Sequence, residues 1–172
     1  MEDENFIRSA HLMKTTSGQK SEILYFYENR YHSMSDKQVF VTRKMHFNGA
    51  HKLYNPSWTE EKNEEVFGRC ANKNWHGHNF DLYVTVKGVP SPDTGFVMDL
   101  KKLKIILNDR VVSKLDHQNF NLDVDFLKDV MPSIENIAIK IWEQLEGQLP
   151  DNAKLHCIKL YETENQFVEY YG

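Results

Sequence analysis

Cysteine is scarce in this chain. Two residues, Cys70 and Cys157, in 172 are too few for a disulfide framework. Long apolar runs are missing too, and nothing approaches the roughly 20 consecutive apolar residues needed to cross a bilayer. The opening MEDENFIRSAHLM starts acidic and has no apolar stretch, so no secretory signal is read there. A basic excess is also lacking: 21 Lys+Arg stand against 25 Asp+Glu, a formal net charge of −4. A general nucleic-acid binder needs a basic face to release counterions, so that class is set aside. The expectation is a cytoplasmic, globular enzyme without a nucleic-acid or membrane partner. At this length one domain is the default, burying roughly 70% of its unfolded surface.

Residues 1–37 read as an N-terminal extension, polar and mixed in charge, with an aromatic patch at Tyr25, Phe26, Tyr27 and Tyr31. Such a segment is loosely ordered, or it is a short added element at a subunit contact. From Val39 the patterning sharpens, and residues 38–172 read as the folded domain. Residues 39–48 read as a strand, and Ser57 with Glu60 reads as a capping box for a short helix ending near Gly68. Residues 78–87 alternate strictly, with Phe80, Leu82, Val84 and Val86 on one face. Asp99 caps a helix whose stripe is Leu100, Leu103, Ile106, Leu107, Val111 and Leu115. Pro132-Ser133 opens a second helix with Ile137, Ile141 and Leu145 on one side. Residues 155–162 and 167–171 are strands joined by a turn too short for a crossover, hence antiparallel. Cys157, alternating with apolar neighbours, reads as a small core residue. The pattern predicts an α+β layer: a four-stranded antiparallel sheet with two long helices on one face. Its two open edges are of the kind that oligomers hide.

Eight histidines stand out. His76-Gly77-His78 enters the strongest strand, and i and i+2 in a strand share a face. His51 ends the strand expected to pair with it. Three imidazoles from adjacent strands suit Zn2+ with one position left open, although an HxH pair alone is as readily chance. Cys70 is either a fourth ligand closing the site or a free thiol beside the metal, where thiolate chemistry would need a lowered pKa. Asp116-His117 follows the first long helix. It is either an orienter and proton shuttle or a histidine interacting with the helix dipole. Glu162 is a solvated strand end or a carboxylate offering two oxygens to an amidine-like ligand edge.

Several segments, taken together, carry a resemblance: FNGAHKL (47–53), FGRCANKNWHGHNF (67–80), DTGFVMDLKKLK (93–104), LDHQNFNLDVDF (115–126), SIENIAIKIW (133–142) and LYETENQ (160–166). In this order, over about residues 40–172, the chain resembles the 6-pyruvoyl-tetrahydropterin synthase family. The resemblance implies the tunnelling fold (T-fold), in which the sheets of three subunits close into a barrel and two trimers stack into a homohexamer. It implies a lyase that takes 7,8-dihydroneopterin triphosphate, releases triphosphate and forms 6-pyruvoyl-tetrahydropterin. A sister branch makes 6-carboxy-tetrahydropterin for queuosine and deazapurine synthesis and also releases acetaldehyde. By the same resemblance the zinc ligands fall on His51, His76 and His78. The catalytic cysteine falls on Cys70, the Asp–His pair on Asp116 and His117, and the pterin-anchoring glutamate on Glu162. Substrate contacts fall on Ser133 and Glu135, with Ser133 and Ile134 standing where the family usually has two threonines. Five residues separate Cys70 from HGHNF, the spacing of the pyruvoyl branch.

Overall fold

The computed structural model describes residues 37–172. The extension expected over residues 1–37 therefore lies outside the described residues, Lys37 apart. Strands β1 (Val39–His51) and β2 (His76–Gly88) form a long antiparallel pair in unbroken register from Val39 opposite Gly88 to His51 opposite His76. Next come β4 (Lys154–Thr163), antiparallel to β2, and β5 (Gln166–Tyr170), antiparallel to β4. The expectation of four antiparallel strands needs one correction. A fifth strand, β3 (Gln118–Asn119), pairs parallel with Gly49 and Ala50 at the β1 edge, giving the order β3-β1-β2-β4-β5. Two residues are too few for a periodic signal, and β3 exists because the chain leaving the long helix is laid along β1.

Alternation decides which face is covered. Phe47 on β1, Phe80, Leu82, Val84 and Val86 on β2, and Ile158 and Leu160 on β4 are buried in one core. Into that core pack α2 (Leu100–Leu107) and α3 (Ile134–Leu145). A fully buried side chain of this kind contributes about 1.5–3 kcal/mol, so this face holds the fold together. Helix α2 does not stop where its α geometry ends. It runs through a π turn (Asn108–Val112) into one last α turn (Ser113–Leu115). Leu103, Leu107, Val111 and Leu115 of the expected stripe are fully buried, whereas Leu100 is exposed.

The short helix α1 (Glu60–Phe67) is present, but its cap is not the one expected. Thr59 accepts from the Lys62 amide, while Ser57 lies earlier and donates its own amide to Asn55. Glu60 is therefore the first helical residue rather than the third, and a Ser57–Glu60 capping box cannot form. Cys157 is buried as expected, but it pairs with Thr85 and shares the face away from the helices with Phe40 and Tyr171. No helix among the described residues is long and apolar enough to cross a membrane.

Candidate active site

Strand β1 runs three residues beyond its expected end, and that overshoot builds the site. It carries His51 opposite His76, and Gly49 opposite His78. The three imidazoles fall on the helix-covered face, with ring centroids 4.5 Å apart for His51–His76, 5.3 Å for His51–His78 and 4.9 Å for His76–His78. One ligand atom from each lies within 4.8 Å of the other two. Phe80 and Phe120 pack edge-on against His51 from below. Phe120 reaches this place only because residue 49 is glycine: a Cβ there would collide with the Phe120 ring.

The state of the donors follows from their contacts. His51 is 1% exposed, and its Nδ1 sits 2.8 Å from the Pro132 carbonyl. A carbonyl only accepts, so Nδ1 donates to it and Nε2 is the ring nitrogen left facing the cluster. Nε2 of His51 and Nδ1 of His76 are buried without a hydrogen bond. Leaving such atoms bare costs about 1–3 kcal/mol each, which a cation would offset. Burial holds His76 and His78 below the ordinary histidine range, against the opposing pull of the Glu162 charge, so both favour the neutral form that binds metal. Three clustered imidazoles with no fourth protein ligand in the set fit zinc with an open position.

Glu162, at the end of β4, points its Oε1 toward this cluster, 3.3 Å from His51 Nε2 and 3.6 Å from His78 Nε2. The His51 contact, more than any other, keeps its carboxyl below the usual range, so it is ionised at neutral pH. His51 and Glu162 line a cleft of about 510 Å³ together with Cys70, Ser133, Ile134 and Glu135. Cys70 stands on the 3-10 turn after α1 (Gly68–Ala71), held there by the Leu53 amide donating to its carbonyl at 2.8 Å. It is not in the mutually close ligand set. Burial, followed by the Glu162 charge, pushes the Cys70 thiol up. Ser133 is also the N-cap of α3, its hydroxyl accepting from the Asn136 amide at 3.4 Å. Glu135 is exposed in the first turn of that helix.

Asp116 and His117 stand elsewhere. Asp116 Oδ1 accepts from the Asn48 amide at 2.9 Å, and Oδ2 lies 2.9 Å from His117 Nδ1. The Asn48 contact is the main reason its carboxyl is lowered. His117 takes a positive φ of 62° and donates its amide to the Asn48 carbonyl, so both residues are fixed to β1 by one backbone unit. With Nδ1 turned to the carboxylate, the Nε2 side of a 75% exposed ring faces outward. His117 borders a shallow depression beside His78, and neither residue lines the cleft that contains Cys70. Pro132, Phe120 and Asn121 went unsingled in the sequence. Asn121 clamps the Lys52 backbone through two hydrogen bonds, its Oδ1 accepting from the amide and its Nδ2 donating to the carbonyl. The carboxamide of an Asn side chain, which carries a donor and an acceptor on one carbon, is the signal that suits such a clamp.

Comparison with known proteins agrees with this geometry. The family model described as 6-pyruvoyl tetrahydropterin synthase matches residues 40–172. The 6-pyruvoyl tetrahydrobiopterin synthase of Homo sapiens is 41% identical over 135 residues, 78% of this chain and 92% of that protein. The protein of the same name from Dictyostelium discoideum is 41% identical over 136 residues, 79% of this chain and 98% of its own length. The solved structure of Caenorhabditis elegans 6-pyruvoyl tetrahydropterin synthase superposes with a TM-score of 0.75 at 34% identity, covering 79% of this chain and 96% of that one. By sequence and by fold, then, this chain belongs to the 6-pyruvoyl tetrahydropterin synthase family.

Proposed function

We propose that this chain is a zinc-dependent, cytoplasmic lyase that converts 7,8-dihydroneopterin triphosphate to 6-pyruvoyl-tetrahydropterin with release of triphosphate. One observation carries the reading: His51, one of three clustered imidazoles, lines the same cleft as a thiol and an ionised carboxylate. His51, His76 and His78 would hold the ion. When bound, zinc supplies a Lewis acid for the substrate's side-chain hydroxyls, which makes the neighbouring carbon-bound protons easier to remove.

The chain's own residues do the rest. Glu162, acceptor-only when ionised, suits the donor edge formed by the pterin 2-amino group and ring N–H, and so fixes the ring's register in the cleft. Ser133 and Glu135 border the same space at the start of α3. Cys70 is the proton-transferring base. In the single chain its thiol is held protonated by burial and by Glu162. It therefore needs added positive charge to act as a thiolate, from the bound ion and from an imidazolium. Asp116 and His117 are built to supply the latter. The carboxylate keeps the imidazole in one tautomer, with Nε2 free to exchange a proton. No redox cofactor is required, because the side chain is oxidised as the pterin ring is reduced.

The pair reaches Cys70 in an assembly. The cleft extends to the β4–β5 hairpin, whereas Asp116-His117 precedes β3 at the opposite edge of the sheet. Joining sheets edge to edge, as in a homohexamer of two stacked trimers, brings one subunit's pair toward its neighbour's cleft and covers the open edges. The test is one incubation of the zinc-loaded protein with 7,8-dihydroneopterin triphosphate, followed by mass spectrometry. 6-Pyruvoyl-tetrahydropterin with triphosphate is expected. 6-Carboxy-tetrahydropterin with acetaldehyde would move the chain to the sister branch, and no product would refute a lyase.

A further inference from the structure

The substrate in the reading above carries a highly charged triphosphate on a side chain of three carbons, and the site residues described so far offer it no cation. We propose that Lys52 anchors the subsite for that triphosphate, with Arg69 and Lys73 on the segments that flank Cys70 and His76. This inference rests on the lyase reading for the identity of the anion.

The chemistry of the substrate limits where the anion can lie. If the side-chain hydroxyls sit at the metal, the phosphate-bearing carbon is one or two bonds further on. The phosphates must then leave the histidine cluster along the residues flanking its ligands. Those flanks carry the cations. Lys52 follows His51, Arg69 precedes Cys70, and Lys73 lies three residues before His76. The fold draws the three segments together. Leu53 donates its amide to the Cys70 carbonyl at 2.8 Å, and the Lys52 ammonium lies over the Trp75 ring.

Lys52 is the best placed of the three. Its backbone is clamped on both sides by the Asn121 amide. Its Nζ lies over two rings, 4.8 Å from the Tyr54 centroid and 5.0 Å from that of Trp75, the residue that leads into His76. Aromatic faces hold an ammonium without consuming its N–H donors. Among the described residues none of the three cations is in an ion pair, whereas Lys44, Lys62, Lys140 and Lys159 are each paired with a carboxylate. The Glu162 carboxylate, at the histidine cluster, repels phosphate and orients the substrate with its ring toward Glu162 and its anion toward Lys52.

The test uses the full-length, zinc-loaded chain and inorganic tripolyphosphate as the probe. Lys52→Met keeps the apolar stem over Tyr54 and Trp75 and removes the charge. Losing one charge-assisted contact should weaken tripolyphosphate binding, read by calorimetry, by about tenfold to a hundredfold. The KM for 7,8-dihydroneopterin triphosphate should rise similarly, with zinc content and affinity for unphosphorylated 7,8-dihydroneopterin unchanged. Lys52→Arg should restore most of the loss, and wild-type affinity should fall with added salt. Unchanged tripolyphosphate affinity and KM in an active Lys52→Met enzyme would overturn the subsite and leave the lyase reading standing. A wild-type chain that binds tripolyphosphate through Lys52 yet turns over no substrate would keep the subsite and refute the lyase. A wild-type enzyme that is active but binds no tripolyphosphate would overturn the subsite.

Discussion

Gly49→Ala is the smallest change that tests how the histidine cluster is supported. The new methyl group would enter space occupied by the tip of the Phe120 ring, and it would also lie 3.1 Å from the Gln118 carbonyl. The ring cannot swing aside at low cost. Phe120 is 1% exposed and packs against Phe80 at 5.5 Å and against Phe47 and His51, each at 6.1 Å. The carbonyl cannot move either, because Gln118 belongs to β3 and pairs with Gly49 itself. Overpacking of this kind typically costs about 1–3 kcal/mol. Against it stands a gain of about 0.4–1 kcal/mol from the stiffer unfolded chain. The balance is destabilising, by about 1–2 kcal/mol, or a drop in Tm of roughly 3–8 °C for a domain of this size. Because the displaced ring supports His51, chelator competition should also show weaker zinc binding. Phe120→Leu made on top of Gly49→Ala should recover part of both losses, with a coupling of about 0.5 kcal/mol or more. Full stability and unchanged zinc affinity in Gly49→Ala would show that Phe120 does not support the site.

Other outcomes follow from the same geometry. Cys70→Ala should retain zinc and pterin binding but lose about 10²–10⁴-fold in rate, and zinc loss instead would make the thiol a ligand. His117→Ala should lose a comparable factor, and mixing the two inactive variants under reassembly should restore activity if the pair serves a neighbouring subunit's cleft. Glu162→Ala should weaken substrate binding by about 1–3 kcal/mol, read as a raised KM. Zinc retention should show a signed pH dependence. His76 and His78 are depressed by burial, so protons compete with the metal only once the pH has fallen below the ordinary value of about 6.5. Loss of zinc beginning above that value in a chelator titration would contradict the buried, neutral state.

The sequence by itself determined the layers and the identity of the chemical groups. Strict alternation over residues 78–87 and the stripe Ile137, Ile141, Leu145 are properties of single elements, readable because one strand or helix has one period and one buried face. HGH is equally local, since i and i+2 share a side of a strand whatever surrounds it. Only the tertiary structure decided what those groups face. The two-residue β3 has no signal of its own and forms where Asp116-His117 is pinned to Asn48. Thr59 rather than Ser57 is the cap, since the chain turns at Asn55 and enters the helix only at Glu60. The direction in which His51 turns its Nε2 depends on a carbonyl 81 residues away, that of Pro132. Cys70 and His117, which spacing invites one to join, line different clefts of one chain: Cys70 is hydrogen-bonded to Leu53 beyond the end of β1, whereas His117 is pinned to Asn48 within it. Long-range contacts of this kind depend on register and packing, which no local pattern encodes.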